Sequence, residues 1–142
     1  MTGADILPTI SASLIKATQL SYVEDAPGTR SILVKLNTIL RYTERKPGDV
    51  LLKEEWSIMV TFLELQRIQS PVRFTYDARN NKDTSGVYIP RGRLFSLLYD
   101  EFQRNMEKSA GLITFSLQLV SASPLEIKLT INSDGTVRFI QW

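Results

Sequence analysis

Ile113-Thr114-Phe115-Ser116-Leu117-Gln118-Leu119 and Leu125-Glu126-Ile127-Lys128-Leu129-Thr130-Ile131 alternate apolar and polar residues without a break. Successive side chains of a strand point to opposite faces, so a period of two predicts strands with one buried and one wet face. Ser133-Asp134-Gly135 follows, and Asp-Gly supplies the positive φ angles of a tight hairpin. Val137-Arg138-Phe139-Ile140 then reads as a third strand. The C-terminal part is thus expected to be an antiparallel meander whose apolar face another layer must cover.

Helices upstream of the meander supply that cover. About Arg91–Ser109 reads as one helix, with Pro90 in its first turn, Gly111 as its C-terminal cap and Leu94, Leu97, Leu98 and Phe102 as its buried stripe. About Leu52–Gln69 reads as another, lined by Trp56, Met59, Val60, Leu63 and Ile68 with Phe62, and ended by Ser70-Pro71. Val72-Arg73-Phe74-Thr75-Tyr76 alternates as a short strand, and Asp77 to Gly86 reads as a polar loop. Residues 47–142 are therefore expected to form a small α/β sandwich, two helices over a mainly antiparallel sheet.

Residues 4–23 carry Ile6, Ile10, Leu14 and Ala17 at helical spacing, and Glu24-Asp25-Ala26-Pro27-Gly28 breaks that pattern. Thr29 can cap a second helix to about Arg45, with Ile32, Leu33, Leu36, Ile39, Leu40 and Tyr42 on its apolar face. Two such helices predict an antiparallel helical hairpin over residues 1–46, and the fold class is α+β. A hairpin alone has one wet apolar face too many. Two copies can close a four-helix bundle, so a homodimer through the hairpin is expected, unless the downstream lobe covers the same face.

Composition narrows the chemistry. Of 142 residues, 43% are hydrophobic and 23% charged, enough for a packed core. The net charge of +2 does not argue for nucleic acid. There is no cysteine, which removes thiolate chemistry and Cys-based zinc sites. There is no histidine, which removes the usual general base near neutral pH and the commonest metal ligand. Acid–base work by carboxylates and metal-assisted phosphoryl transfer are the main chemistries left; an enzyme of that kind, with Asp100 and Glu101 as its carboxylates, ranks last, and no metal, cofactor or catalytic residue is expected. No segment reaches the roughly 18 apolar residues of a membrane helix, so no membrane insertion and a cytoplasmic location are expected.

Two stretches resemble a known family. Leu40-Arg41-Tyr42-Thr43-Glu44 is similar to the end of the second dimerisation helix in LytS-type sensor histidine kinases. Val50-Leu51-Leu52-Lys53-Glu54-Glu55 and Phe62-Leu63-Glu64-Leu65-Gln66-Arg67-Ile68 resemble the opening of that family's GHKL ATPase lobe. Ile6-Leu7-Pro8-Thr9-Ile10 then falls at the family's Pro-His-Phe phosphoacceptor box, with Thr9 in the place of the histidine. Tyr88-Ile89-Pro90 and Leu94 to Glu101 resemble the helix bearing the N-box, whose Glu-Asn pair helps to hold magnesium on the phosphates. Here Asp100-Glu101 stands there, with Asn105 one turn later. For the family's Asp-x-Gly-x-Gly segment only Asn132-Ser133-Asp134-Gly135 is available, and it reads better as a turn. A hairpin plus a reduced, nucleotide-free lobe is also the architecture of the sporulation phosphotransferases, whose activity needs the missing histidine.

The resemblance implies a pseudokinase. It would be a non-catalytic adaptor or regulator in bacterial two-component signalling, with a response regulator or sensor kinase as partner. Lys16, Gln19, Arg30, Lys35 and Asn37 are the candidate partner surface on the hairpin. The second reading is a nucleotide or small-anion sensor using the residual cleft, with Arg91, Arg93 and Arg104 as its charge. The bland reading of Asp100 and Glu101 is surface charge, since adjacent helical residues diverge by about 100°. Glu54 and Glu55 read as dipole-favoured residues of a first turn, and Trp56 and Phe62 as core.

Overall fold

The computed structural model describes Ser13, Ile15, Lys16 and residues 27–142. The described elements run α1 (Pro27–Thr43), β1 (Asp49–Leu51), α2 (Leu52–Gln69), β2 (Phe74–Arg79), β3 (Tyr88–Pro90), α3 (Arg93–Lys108), β4 (Ile113–Ala122), β5 (Leu125–Ser133) and β6 (Thr136–Gln141). The fold is α+β, with helical-hairpin elements leading into a sheet-based domain.

The period-two segments pair as their pattern requires. The main sheet has the order β2-β4-β5-β6. β4, β5 and β6 form the antiparallel meander, while β2 joins β4 in parallel. Phe115, Leu117 and Leu119 face Ile131, Leu129 and Ile127 across β4 and β5, all fully buried. The β5–β6 turn is the Asp-Gly hairpin, with φ of 54° at Asp134 and 78° at Gly135.

α2 and α3 lie on this apolar face. Phe62 is fully buried at the centre of the layer, with its ring centroid 5.4 Å from Phe95, 5.4 Å from Phe102 and 5.8 Å from Tyr99. Phe74 and Phe115 carry the aromatic cluster into the sheet, 5.4 Å apart. α2 is buried on two sides because α1 covers the flank that α3 leaves open. Ile32, Leu36, Ile39 and Tyr42 of α1 belong to the same core as the sheet residues. The C-terminal end of α1 meets the start of α2, so the two helices run antiparallel. Ser13, Ile15 and Lys16 are helical. Gln69 at the far end of α2 donates to the Ser13 hydroxyl, and Lys16 Nζ donates to the Gln69 carbonyl at 3.0 Å.

Several boundaries differ from the pattern-based expectation. α1 already includes Pro27 and Gly28, so Thr29 does not cap it. Thr29 is inside the helix, buried, with its hydroxyl unbonded. Leu33 faces outward and Leu97 is partly exposed, while Phe95 and Tyr99 are buried in its stead. The expected loop after Tyr76 is strand as far as Arg79, since Asp77, Ala78 and Arg79 find partners in Ser116, Leu117 and Gln118. Pro90 ends β3 instead of opening a helix. α3 starts after Gly92, whose φ of 84° suits glycine. α3 closes at Ser109 without a left-handed cap. β1 and β3, three residues each, pair antiparallel and were too short to show a period.

Candidate functional site

The densest polar network in the interior sits where α1, α2 and α3 meet. Glu55 is fully buried in the first turn of α2. Its carboxylate accepts backbone N–H groups of Gly92 at 2.6 Å, Leu94 at 2.7 Å and Phe95 at 3.4 Å, and it also accepts the Tyr42 hydroxyl. Those three N–H groups open α3 and have no partner within their own helix, and no side chain of Gly92 caps them. Glu55 therefore does the work of an N-cap from another helix, with its negative charge at the positive end of the α3 dipole.

The opposite end of α3 is held by a cation. Arg73, between α2 and β2, donates Nη2 to the Ser109 carbonyl and to the Met106 carbonyl at 3.3 Å. Arg91 closes α1 in the same manner, donating Nη1 to the Tyr42 carbonyl at 3.0 Å and Nε to the Lys46 carbonyl at 3.3 Å. Its guanidinium and that of Arg45 lie 5.9 and 5.7 Å from the Tyr42 ring centroid. Burial first, and the adjacent Glu55 carboxylate second, hold the Tyr42 hydroxyl well above the usual phenol range, so it stays a donor. Nothing in the sequence marked this network, since its partners lie 13 to 49 residues apart.

The expected partner surface is partly assembled. Arg30, Leu33, Val34, Asn37, Thr38 and Arg41 are all exposed and follow helical spacing, so they form one outward stripe on α1. Leu33 is 44% and Val34 59% exposed. Lys35 lies off this stripe, half-buried, with Nζ 3.3 Å from the Ser31 hydroxyl. Lys16 is bonded to Gln69 at the other end of α2. Gln19 and the phosphoacceptor position Thr9 lie outside the described residues.

Asp100 and Glu101, the expected degenerate N-box, separate as helical geometry demands. Asp100 is exposed; Glu101, read as surface charge, is 8% exposed. α3 presents it towards β6, where Arg138 lies at 3.6 Å, and Arg104 of its own helix balances its charge at 2.7 Å. Asn105 is also buried, and its amide donates to the Glu101 carbonyl at 2.7 Å. A cleft of about 280 Å³ opens beside them between the end of α3 and the β5–β6 hairpin. Asn105, Lys108, Asp134 and Arg138 line it. The structure thus brings Asn105 and Asp134 to one cavity. Arg91 belongs to the α1 junction instead, and Arg93 is exposed. Among the described residues no group of three or more Asp or Glu side chains is placed to hold a metal ion. No described helix is long and apolar enough to cross a membrane.

No family model matches the chain. No curated protein matches it either. Among solved structures it is similar to the crystal structure of histidine kinase ThkA in complex with response regulator protein TrrA. The TM-score is 0.37 at 13% identity, over 90% of this chain and 43% of that one. The chain thus spans less than half the length of that kinase.

Proposed function

We propose that the chain is a histidine-kinase-like adaptor or regulator of bacterial two-component signalling that acts by protein–protein contact and not by catalysis. The observation that carries this reading is the outward stripe of α1. It presents Leu33 and Val34 to solvent between Arg30 and Arg41, on the helix whose end resembles the kinase dimerisation helix. An apolar pair framed by cations on a helix that is already packed on its other side fits a protein contact. The absence of histidine from these 142 residues supports the non-catalytic half of the proposal, because no phosphohistidine can form on them. Residues 1–46 serve as the recognition part and 47–142 as the reduced ATPase-like lobe.

The test has two arms. Sedimentation of the purified chain measures self-association; because the lobe covers the inner apolar face of α1, the expected homodimer through the hairpin forms on the outward Leu33–Val34 stripe. Titration with purified receiver domains and kinase hairpins from the source genome measures the second kind of partner. Val34→Glu is expected to abolish whichever association is seen while leaving the fold intact. A monomer that binds none of them removes the proposal.

A second reading is favoured by the cleft at Asn105 and Asp134: a sensor that binds a nucleotide or small anion there and transmits its state to the helices. Lys108 and Arg138 supply positive charge at its wall. A thermal melt with and without magnesium ATP and ADP separates the two. Ligand at about 100 times its dissociation constant stabilises a fold by roughly 2.7 kcal/mol, a shift of several degrees at this size.

A further inference from the structure

A larger cleft lies elsewhere, between the C-terminal half of α1 and the first turns of α2. Its volume is about 550 Å³, within the range of small-molecule sites. Its walls differ in kind. Leu51, Ile58 and Tyr42 give an apolar floor, and Leu51 is 39% exposed. Arg41, Arg45 and Lys53 stand around it, and only Glu54 among its lining residues is acidic. Asn37 and Ser57 add polar groups without a side-chain partner among the described residues.

The charge is unbalanced for a structural reason. Glu54 is taken up by Arg45, whose guanidinium is further fixed over the Tyr42 ring. Arg41 and Lys53 form no ion pair among the described residues. Arg41 is in the last turn of α1 and Arg45 just beyond its end. Three cations thus converge on one concave, partly apolar surface with a single carboxylate to offset them. Arg41 and Lys53 are the two cations left without a carboxylate, and a guanidinium can bind a planar or tetrahedral anion through paired N–H groups, while the apolar floor adds affinity only for a ligand with an apolar body.

We propose that this α1–α2 cleft binds an organic anion, a phosphate, sulfonate or carboxylate carried on a flat apolar group. The anion lies between Arg41 and Lys53, and the apolar body rests on Leu51 and Ile58. The site is separate from the cleft at Asn105 and does not depend on the adaptor reading. It touches both Tyr42 and the first turn of α2, so occupancy braces α1 against the lobe.

Isothermal titration of the full chain with 1-naphthyl phosphate tests the proposal, with inorganic phosphate and 1-naphthol as the separated halves. Naphthyl phosphate is expected to bind saturably and at least tenfold more tightly than either half. Arg41→Gln with Lys53→Gln is expected to weaken it at least tenfold. Ser57→Trp, an exposed position on the cleft wall, is expected to do the same by filling the space without changing charge. If that variant fails to fold, Thr38→Trp on the opposite wall blocks the same volume. Lys108→Gln with Arg138→Gln is expected to leave binding unchanged. Absence of saturable binding overturns the proposal. So does binding that survives the blocking tryptophan, or binding lost through Lys108 and Arg138, which would place the ligand in the other cleft.

Discussion

Glu55 Oε2 accepts the backbone N–H of Leu94 at 2.7 Å, across 39 residues of sequence. The carboxylate is fully buried and also takes the Gly92 N–H and the Tyr42 hydroxyl. It fixes the start of α3 to the start of α2 and the end of α1. A buried charge is tolerable only with such a set of donors, and removing it leaves all of them unpaired.

Glu55→Ala is therefore expected to destabilise the fold by about 3–5 kcal/mol, read from urea unfolding. Glu55→Gln keeps an acceptor oxygen and should cost less. Tyr42→Phe removes one donor and should cost about 1–2 kcal/mol. In a double-mutant cycle the Tyr42 and Glu55 losses should fall short of additive by about 0.5–3 kcal/mol. Additive losses would mean that the two side chains stabilise the fold independently.

Phe62 touches three rings of α3 with no solvent exposure. Truncation leaves a cavity between α2 and the three rings of α3. Phe62→Ala is expected to cost about 3–5 kcal/mol, and Phe62→Leu clearly less. A loss below about 1 kcal/mol for the alanine variant would place Phe62 outside the core.

The sheet was legible in the sequence, and the junction was not. Ile127, Leu129 and Ile131 announce their strand because alternation is a local property, and Asp134-Gly135 announces its turn for the same reason. The α2 span was legible because Ser70-Pro71 marks its end. Glu55 reads locally as a first-turn acid of its own helix, yet its partners belong to α3. Arg91 reads as cleft charge, yet it bonds the carbonyl of Tyr42. Glu101 reads as surface because a one-dimensional pattern does not show Arg138 arriving from β6. Long-range polar pairs leave no period, so only the folded chain reveals them.

Gly111 carries no left-handed angle, and a side chain there would meet one close neighbour. A Cβ built there lies 2.7 Å from Asp134 Oδ1, and Asp134 is held in place by the Ser109 hydroxyl at 2.8 Å. Asp134 is exposed and its carboxylate can turn away at the loss of that one hydrogen bond, so Gly111→Ala should cost about 0.5–1.5 kcal/mol. Asp134→Gly removes the obstructing carboxylate and suits the φ of 54° at that position. In that background the alanine should cost much less. An equal cost in both backgrounds would locate the strain elsewhere.

The pH dependence of stability is expected to carry the mark of Glu64 and Tyr76. The Tyr76 hydroxyl donates to Glu64 Oε2 at 2.7 Å, and Arg67 Nε donates to the same oxygen at 3.0 Å. The Arg67 hydrogen bond, with help from Tyr76, holds the Glu64 carboxyl below its ordinary 4.5. The unfolded chain then binds more protons in acid, so this contribution is present above pH 4.5 and is lost as pH falls through the lower folded value. Burial, followed by the Glu64 hydrogen bond, pushes Tyr76 up from 10.0 to about 12. Here the folded chain keeps a proton that the unfolded chain releases, so the contribution is complete below pH 10.0 and lost as pH rises through about 12. Glu64→Gln should flatten the acid limb of a urea-midpoint profile and shorten the alkaline one, because burial alone then raises Tyr76. Tyr76→Phe should flatten part of the alkaline limb, with Tyr42 supplying what remains. Phenolate absorbance offers an independent reading, since Tyr76 should ionise late in the folded chain and near its ordinary value in urea. An alkaline limb indifferent to Tyr76→Phe would exclude the Glu64–Tyr76 bond as a source of stability.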